Sequence, residues 1–379
     1  MKIALIHKRL DLKGGTERDL FQTAQGLRAL GHEVHLFCGE YGVPPPGGVV
    51  AHRVPVIPLG RTFRLWSFAW FGQSALKKAN WDVVVGFGRL WRQDVLRCGG
   101  GTHRNFLGRL GSDASWRRRL WQNVSIYHRS LLAIENRQYD PEGSRIIIAV
   151  SAQVKRDIIA HYSVPAEKIF VLYNGVDKDR FHPARRGEAR DKLRNRWKIP
   201  FDAPLILFVG SGFRRKGLDR LLSIWKSPRL DRVFLLVVGA DARMAQYQNR
   251  ADSIAPGRII FAGRQEDIEN YYAASDGVVL PSLQEAFGNV VVEALASGLP
   301  VLVSRNAGAS EILHGALAEG VFDPEIDAAG LEGKILWLLQ KSNDAGCAQE
   351  ARKIAEGHSW DNHFRRLERL LREGTGVDR

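Results

Sequence analysis

The sequence is poor in cysteine and contains no long apolar run. Only three cysteines occur among 379 residues, Cys38, Cys98 and Cys347, and they lie far apart. This spacing excludes a disulfide framework and a cysteine zinc site, and it favours a reducing compartment. No stretch of about 18 apolar residues is present, which excludes a membrane-spanning helix. The apolar stretch Ile3–Ile6 is too short for a signal peptide, so we expect a cytoplasmic protein.

Acidic residues are the scarcer charge, above all in the first half of the chain. The sequence has 55 Lys and Arg against 41 Asp and Glu, a formal charge of +14, and residues 1–177 alone carry 25 against 14. Such a field attracts a polyanion: nucleic acid, acidic lipid headgroups or a phosphorylated substrate. With 45% hydrophobic and 25% charged residues the chain is otherwise an ordinary globular protein, and its length predicts about two domains.

Short apolar strands alternate with helical patterns in two successive runs. The first run begins with a strand at Ile3–Ile6 and a helix over 16–30, and the second begins with a strand at Leu205–Val209. A polar stretch over 178–200 separates them and marks the domain boundary. Alternation of this kind predicts the α/β class, with two Rossmann-like domains at 1–174 and 178–356 that face each other across a cleft. Apolar residues at helical spacing predict a closing amphipathic helix within 357–379.

Ligands of such sheets bind beyond the carboxyl ends of the strands, and two loops there carry unusual residues. Gly14 and Gly15 precede the first helix, where glycines allow a phosphate to approach the backbone, although a tight turn alone also explains them. The loop over 210–217 adds Arg214, Arg215 and Lys216, which can neutralise a diphosphate. A solvated basic loop is the alternative.

The most specific segment runs from Glu285 to Glu293. Glu285 precedes a predicted helix, and Glu293 lies about 12 Å further along the axis if the segment is regular. One carboxylate can hold sugar hydroxyls and the other a ribose, with a diphosphate near the helix start. Two glutamates on a surface helix are the alternative, which the apolar run Val290–Val292 between them disfavours.

These motifs together resemble a known family. The run Glu-Ala-Phe-Gly with a Glu after four more residues, the triplet at 215–217, the pair Gly14-Gly15 and the connector at 174–177 closely resemble the retaining nucleotide-sugar glycosyltransferases of the GT-B fold, family four, over nearly the full length. Within that family, the pattern from Gly14 to Asp19 resembles the lipopolysaccharide core glucosyltransferases. The resemblance implies transfer of a hexose from a nucleotide diphosphate sugar, usually a UDP-sugar, with retained anomeric configuration and with neither a cofactor nor an essential metal.

The resemblance also implies roles for individual residues. Glu285 would contact the donor sugar and Glu293 its ribose, while Asp19 would lie on the acceptor side. His103 would contact the acceptor hydroxyl or accept its proton. The implied catalytic set is His103, Glu285, Lys216 and Asp19. The implied donor-binding set is Gly14, Gly15, Ser211, Arg215, Lys216, Arg264, Glu285, Ala286, Phe287, Gly288, Asn289 and Glu293.

The chain departs from its family at two places. Ser211 stands where many relatives have an arginine, so Arg214 or Arg215 would compensate. The loop over 98–104 lacks the Asp that the core glucosyltransferases place near position 100. In a retaining front-face transfer the departing phosphate oxygen can itself take the acceptor proton, so no strong protein base is required. Asp177 and Asp179 fall in the connector rather than at a strand end, which favours metal independence.

A basic aromatic segment over 104–137 favours docking on a membrane. It carries seven arginines against Asp113 and Glu135, with tryptophans and tyrosine between them, as headgroup interfaces prefer. The predicted membrane contacts are Arg109, Trp116, Arg117, Arg118, Arg119 and Trp121. A solvated helix face and a nucleic-acid surface are the alternatives for this segment.

We therefore expect a monomeric glycosyltransferase, peripheral on the inner membrane, that acts on a lipopolysaccharide core or another lipid-linked glycan and binds no nucleic acid. A relative with a soluble acceptor, of the sucrose or glycogen synthase type, is the enzymatic alternative. A noncatalytic nucleic-acid-binding protein is the more distant one.

Overall fold

The computed structural model describes residues 1–12, 14–112 and 125–375. The chain divides into two compact units, Met1–Asn174 together with Trp360–Arg379, and Gly175–Ser359. Each unit contains a parallel sheet covered by helices, which confirms the predicted class of two Rossmann-like domains. The carboxyl-terminal segment belongs to the first unit, although it follows the second in sequence.

The first unit contains a seven-stranded parallel sheet in the order β3-β2-β1-β4-β5-β6-β7. Its strands are β1 (Lys2–Leu10), β2 (Glu33–Tyr41), β3 (Val50–Arg53), β4 (Val83–Gly86), β5 (Gln93–Cys98), β6 (Ser144–Ala149) and β7 (Ile169–Val171). Its described helices are α1 (Gly15–Ala29), α2 (Gly60–Leu76), α3 (His103–Ser112), α4 (Ile126–Tyr139), α5 (Ala152–Tyr162) and the terminal helix α13 (Trp360–Thr375). The strand order reverses between β1 and β4, which is where ligands bind in sheets of this type.

Strand β1 shows why this sheet is buried on both faces. Ile3 and Leu5 pack into one core, and Ala4 and Ile6 pack into the other, because successive side chains of a strand point to opposite faces. Helix α13 adds Leu367 and Leu371 to the core that contains Ile3 and Leu5. The terminal helix therefore completes the first unit.

The second unit contains a six-stranded parallel sheet in the order β10-β9-β8-β11-β12-β13. Its strands are β8 (Leu205–Val209), β9 (Phe234–Val238), β10 (Ile259–Gly263), β11 (Gly277–Leu280), β12 (Val301–Ser304) and β13 (Val321–Phe322). Its helices are α6 (Arg186–Trp197), α7 (Leu218–Ile224), α8 (Met244–Ile254), α9 (Ile268–Ala274), α10 (Asn289–Ala296), α11 (Ala328–Lys341) and α12 (Ala345–Gly357). Here the strand order reverses between β8 and β11.

The polar stretch over 178–200, with which the predicted second domain begins, lies entirely within the second unit. Helix α6 lies within it, and three arginines of this stretch bind the carboxylate of Asp276: Arg186 at 2.6 Å, Arg190 at 2.8 Å and Arg194 at 3.0 Å. The Arg194 side chain is fully buried and also donates to the carbonyl oxygens of Pro200 and Ala203. The prediction missed this helix because a buried ionic cluster, rather than an apolar stripe, anchors it.

Candidate functional site

The structure brings two distant motifs together at the carboxyl edge of the second sheet. The loop after β8 carries Arg215 and Lys216, and the loop after β11 carries Glu285, so the two loops flank the point where the strand order reverses. Arg215 Nη1 and Lys216 Nζ each lie 2.9 Å from Glu285 Oε2. Arg215 also donates to the carbonyl oxygen of Gln284. This cluster is the candidate donor site.

The cluster keeps Glu285 charged and retains a positive excess. Burial alone would raise the pKa of Glu285, but the charges of Lys216 and Arg215 outweigh burial and lower the pKa to about 2. Two cations thus surround one carboxylate, and the Arg215 side chain remains 40% exposed. Glu285 is therefore present as a carboxylate, which can accept a hydrogen bond from a ligand hydroxyl.

Glycines in the loop after β8 allow Lys216 to reach Glu285. Gly210 has φ +151°, and a Cβ there would lie 2.7 Å from Cδ and Cε of Lys216. Gly217 has φ +79°, and a Cβ there would lie 2.0 Å from the carbonyl oxygen of Pro281. The side chain of Lys216 therefore passes directly over Gly210. Gly217 allows the loop to lie against Pro281, in the segment that leads to Glu285.

A loop that the sequence reasoning missed fixes the backbone around Glu285. Glu285 N donates to Asn306 O at 3.0 Å, and Gly308 N donates to Glu285 O at 3.1 Å. Ala309 N likewise donates to Phe287 O at 2.8 Å. These residues follow β12, the neighbour of β11. The run of small residues over 306–309, shortly after an apolar strand, was the sequence signal that could have indicated this loop.

Beyond Glu285 the segment begins helix α10. Gly288 has φ +102° and precedes the first helical residue, Asn289, while the side chain of Phe287 is buried. Oε2 of Glu293 accepts a hydrogen bond of 2.6 Å from the Tyr272 hydroxyl. The structure thus places Glu293 on the predicted helix and shows a partner, Tyr272, that the sequence did not indicate.

Two predicted donor contacts lie apart from the Glu285 cluster. Ser211 is exposed at the start of the loop after β8, where its hydroxyl accepts a hydrogen bond of 3.4 Å from Ala240 N. Arg264 is exposed after β10, two strands away from β8 and so roughly 10 Å distant across the sheet. The structure does not bring either residue into contact with Glu285.

In the first unit, Asp19 forms a buried ion pair. Arg97 Nε lies 3.0 Å from Asp19 Oδ2, and both side chains are almost fully buried. Thr23 donates to the other carboxylate oxygen at 3.4 Å, and Arg97 also donates to Asn174 Oδ1 at 2.7 Å. The structure therefore gives Asp19 a role in positioning Arg97, whereas its contact with an acceptor stays a prediction.

His103 begins helix α3 and pairs with a second histidine. Its Nε2 lies 3.0 Å from Nδ1 of His128, and its backbone N donates to Glu135 at 2.6 Å. Burial, together with the positive charges of Arg89 and His128, lowers the pKa of His103 to about 4. The ring is then neutral at pH 7, which suits a polar contact with a hydroxyl better than strong base catalysis.

A pocket of about 140 Å³ lies at the same edge of the first sheet and contains residues that the sequence reasoning missed. Its lining includes His7, Glu17, Arg89 and Gly99. His7 is buried, and within the described residues neither of its ring nitrogens has a hydrogen-bond partner, although Glu17 Oε1 lies 3.6 Å from Nε2. Burial lowers the pKa of His7, so the pocket holds a neutral imidazole that can bind a hydroxyl. A histidine within the apolar strand β1 was the available signal.

The predicted glycine pair lies beside this pocket. Helix α1 begins at Gly15, and Gly14 precedes it. The carboxylate of Glu17 folds back over Gly14, so closely that a Cβ at Gly14 would lie only 2.1 Å from Glu17 Oε2. Any phosphate at this helix start would therefore have to displace the Glu17 side chain.

Most of the predicted membrane contacts fall outside the described residues. These are Trp116, Arg117, Arg118, Arg119 and Trp121. Arg109 lies in α3, where only its backbone is described. Among the described residues, no helix has the length and apolar content that crossing a bilayer requires.

Comparison with known proteins points to one family. The sequence profile of the family described as Glycosyltransferase Family 4 matches residues 13–180, and that of Glycosyl transferases group 1 matches residues 189–356. A probable transglycosylase of Burkholderia thailandensis is 31% identical over 88% of this chain and 85% of its own length. The lipopolysaccharide glucosyltransferase WaaG of Escherichia coli is 27% identical over 78% of each chain. A crystal structure of WaaG, a glycosyltransferase involved in lipopolysaccharide biosynthesis, shares the fold with a TM-score of 0.81, at 23% identity over 97% of this chain and 99% of that one.

Proposed function

Because the chain belongs to the GT-B glycosyltransferases, with a family 4 segment followed by a group 1 segment, we propose that it transfers a hexose from a UDP-sugar to a lipopolysaccharide core or another lipid-linked glycan. The transfer retains the anomeric configuration and requires no metal. The observation that carries the proposal is the contact of Arg215 and Lys216 with Glu285 at the edge where ligands of such sheets bind.

The cationic cluster supports the donor side of the proposal. Arg215 and Lys216 carry one more positive charge than Glu285 balances, which suits a diphosphate. As the sugar–phosphate bond breaks, negative charge grows on the leaving oxygen, and fixed cations stabilise that charge. Oε1 of Glu285 would accept hydrogen bonds from the sugar hydroxyls and hold the ring beside the diphosphate.

The neutral histidines support a reaction without a strong protein base. His103 has a pKa of about 4 and His7 is buried, so neither is suited to take a proton firmly at pH 7. The departing phosphate oxygen would then accept the proton of the acceptor hydroxyl, and the histidines would orient that hydroxyl by hydrogen bonds. Asp19 would contribute through Arg97, which lies between it and Asn174.

The relatives and the charge of the chain support a lipid-linked acceptor. WaaG is named for glucose transfer in lipopolysaccharide synthesis, and residues 1–177 of this chain carry 25 basic against 14 acidic side chains. A positive first unit favours an acceptor with anionic groups. A soluble acceptor is the alternative outcome of the experiment below.

Two measurements test the proposal. First, the thermal unfolding of the protein is followed with UDP-, ADP- and GDP-sugars, and we expect UDP-glucose or UDP-galactose to raise Tm, because a ligand that binds only the folded state stabilises it. Second, labelled sugar from that donor is offered to a truncated lipopolysaccharide core and to soluble sugars and sugar phosphates, with and without EDTA. Transfer to the lipid-linked acceptor in both buffers supports the proposal. Transfer to soluble acceptors alone, loss of activity with EDTA, or protection by no nucleotide sugar contradicts it.

A further inference from the structure

Helix α2 presents an apolar stripe to solvent. Phe63, Trp66 and Trp70 follow one another at intervals of three and four residues, which places them on one side of the helix, and Leu59 directly precedes the helix four residues before Phe63. The exposed fractions of Leu59, Phe63, Trp66 and Trp70 are 67, 61, 36 and 61%, so each of them keeps a substantial exposed surface. A contiguous exposed apolar surface of this kind marks an interaction site rather than ordinary surface.

The same helix already uses its opposite side for packing. Leu65 and Ala69 contact Leu131 and Ile134 of α4, and Phe68 packs against the sheet. Helix α2 is therefore held firmly by the first unit, and the stripe is an additional apolar surface. We call the set Leu59, Phe63, Trp66 and Trp70 the α2 stripe.

The sequence that contains the α2 stripe is basic, although Arg64 is paired with Glu40 at 3.7 Å. No acidic residue occurs between Glu40 and Asp82, and this part of the sequence carries five basic residues: Arg53, Arg61, Arg64, Lys77 and Lys78. Lys77 continues the line of the stripe at the end of the helix, seven residues after Trp70, and both Lys77 and Lys78 are exposed. Aromatic side chains beside lysine and arginine are typical of helices that lie in the headgroup region of a membrane.

A groove of about 810 Å³ adjoins the stripe and contains both cations and carboxylates. Trp70 and Lys77 form part of its lining together with Trp91, Arg92 and Arg137. Arg137 lies over the Trp91 ring at 5.7 Å, and the Trp70 and Trp91 rings are 6.0 Å apart. Asp140 and Glu142 also line the groove, and Arg92 is paired with Glu142 at 2.8 Å. Lys77 and Arg137 beside the aromatic walls are therefore the cations that suit the phosphate of a lipid headgroup.

We propose that helix α2 lies in the interface of an anionic membrane, with the α2 stripe inserted among the acyl chains. Lys77, Lys78 and Arg137 then contact headgroup phosphates. The inference extends the proposed function, because a lipid-linked acceptor would be met at that surface, but vesicle binding is measured without any transfer reaction. The charge pattern favours a lipid surface over a second copy of the chain or a glycan, since neither of these requires an acid-free, lysine-flanked helix.

The experiment measures binding of the full chain to vesicles of phosphatidylcholine with and without 30% phosphatidylglycerol, roughly a physiological anionic content. The variants are Phe63→Ala with Trp70→Ala, and Lys77→Ala with Lys78→Ala. Matched controls on the second unit are Phe201→Ala, which removes another exposed aromatic, and Lys226→Ala. Sedimentation, tryptophan fluorescence and Tm are recorded for each protein, and transfer to a water-soluble acceptor fragment is assayed in parallel.

We expect the wild-type chain to bind the anionic vesicles and to bind neutral vesicles much more weakly. The aromatic variant should lose at least tenfold in partitioning, and the lysine variant about fivefold per lysine, with Tm and soluble-acceptor transfer unchanged. Both control variants should bind as the wild type does.

Several results would overturn the inference. One is that both α2 variants bind the anionic vesicles as well as the wild type does. Another is that vesicle binding is lost only in the variant Trp116→Ala with Trp121→Ala. Dimerisation that the α2 variants abolish, or quenching of tryptophan by a soluble glycan without vesicle binding, would assign the stripe to a different occupant. Failure of the transfer assay with normal vesicle binding would instead count against the proposed function alone.

Discussion

Replacing Glu285 by glutamine removes the negative charge that Arg215 and Lys216 share while keeping the size of the side chain. The difference between the ordinary pKa of 4.5 and the value of about 2 corresponds to about 3 kcal/mol of stabilisation of the charged form. Glutamine can still accept a hydrogen bond, so we expect Glu285→Gln to lower the free energy of unfolding by about 1–3 kcal/mol. Chemical denaturation at pH 7 measures this loss.

The same substitution separates two parts of the reaction. Without the carboxylate, Arg215 and Lys216 are freer to bind a diphosphate, so the affinity for UDP, measured by calorimetry, should stay the same or rise. Transfer should fall by about 10²–10³, because a group that holds the reacting sugar is lost. Glu325→Gln, an exposed glutamate of the same unit, is the matched control and should change neither quantity. Undiminished transfer by Glu285→Gln, or loss of UDP binding in parallel with transfer, would contradict the assignment of Glu285 to the donor sugar.

Three further predictions concern the stability of the two units. Asp276→Ala leaves the buried guanidinium of Arg194 without its counter-charge and should cost about 3–5 kcal/mol in urea denaturation, whereas a loss below about 1 kcal/mol would show that the cluster is not important for stability. Asp19→Ala and Arg97→Met should each be destabilising, and the double variant should lose clearly less than the sum of the two; additive losses would argue against a coupled ion pair. His363 is buried with a pKa lowered to about 4, because burial disfavours the charged ring. Between about pH 6.5 and 4 the unfolded chain binds a proton there that the folded chain does not, so acidification over this window should remove up to about 3 kcal/mol of stability, and His363→Gln should weaken that pH dependence; an equal slope in both proteins would contradict it.

Much of the fold could be predicted because its signals are local. The apolar strands at β1, β8 and β11 and the glycines that follow them indicate a doubly wound sheet from short stretches of sequence. Strands β3, β5 and β13 were missed, since β3 has mostly exposed side chains, β5 contains a buried arginine, Arg97, and β13 is only two residues long. None of these strands shows the continuous apolar run by which a buried strand is recognised.

The candidate site could be predicted in its residue types but only partly in its contacts. The motifs around Lys216 and Glu285 are short and specific, and each follows a strand, so both could be assigned to the ligand-binding edge of the sheet. Their direct contact could not be predicted, because it requires β8 and β11 to be neighbours. The loop at Asn306, the partner of Glu293 and the pocket at His7 depend on which strands lie side by side, which no local pattern encodes. The burial of Asp19 is of the same kind, because its partner Arg97 lies 78 residues further along the chain.

In the proposed donor complex, Arg215 and Lys216 bind the diphosphate of a nucleotide sugar while Glu285 holds the sugar. A crystal structure of the protein soaked with UDP-glucose would locate each of these groups. We expect diphosphate oxygens within about 3 Å of Lys216 Nζ and the Arg215 guanidinium, with a sugar hydroxyl donating to Glu285. Well-defined density for the nucleotide sugar on other residues, with the ion pairs of Glu285 left intact, would contradict it.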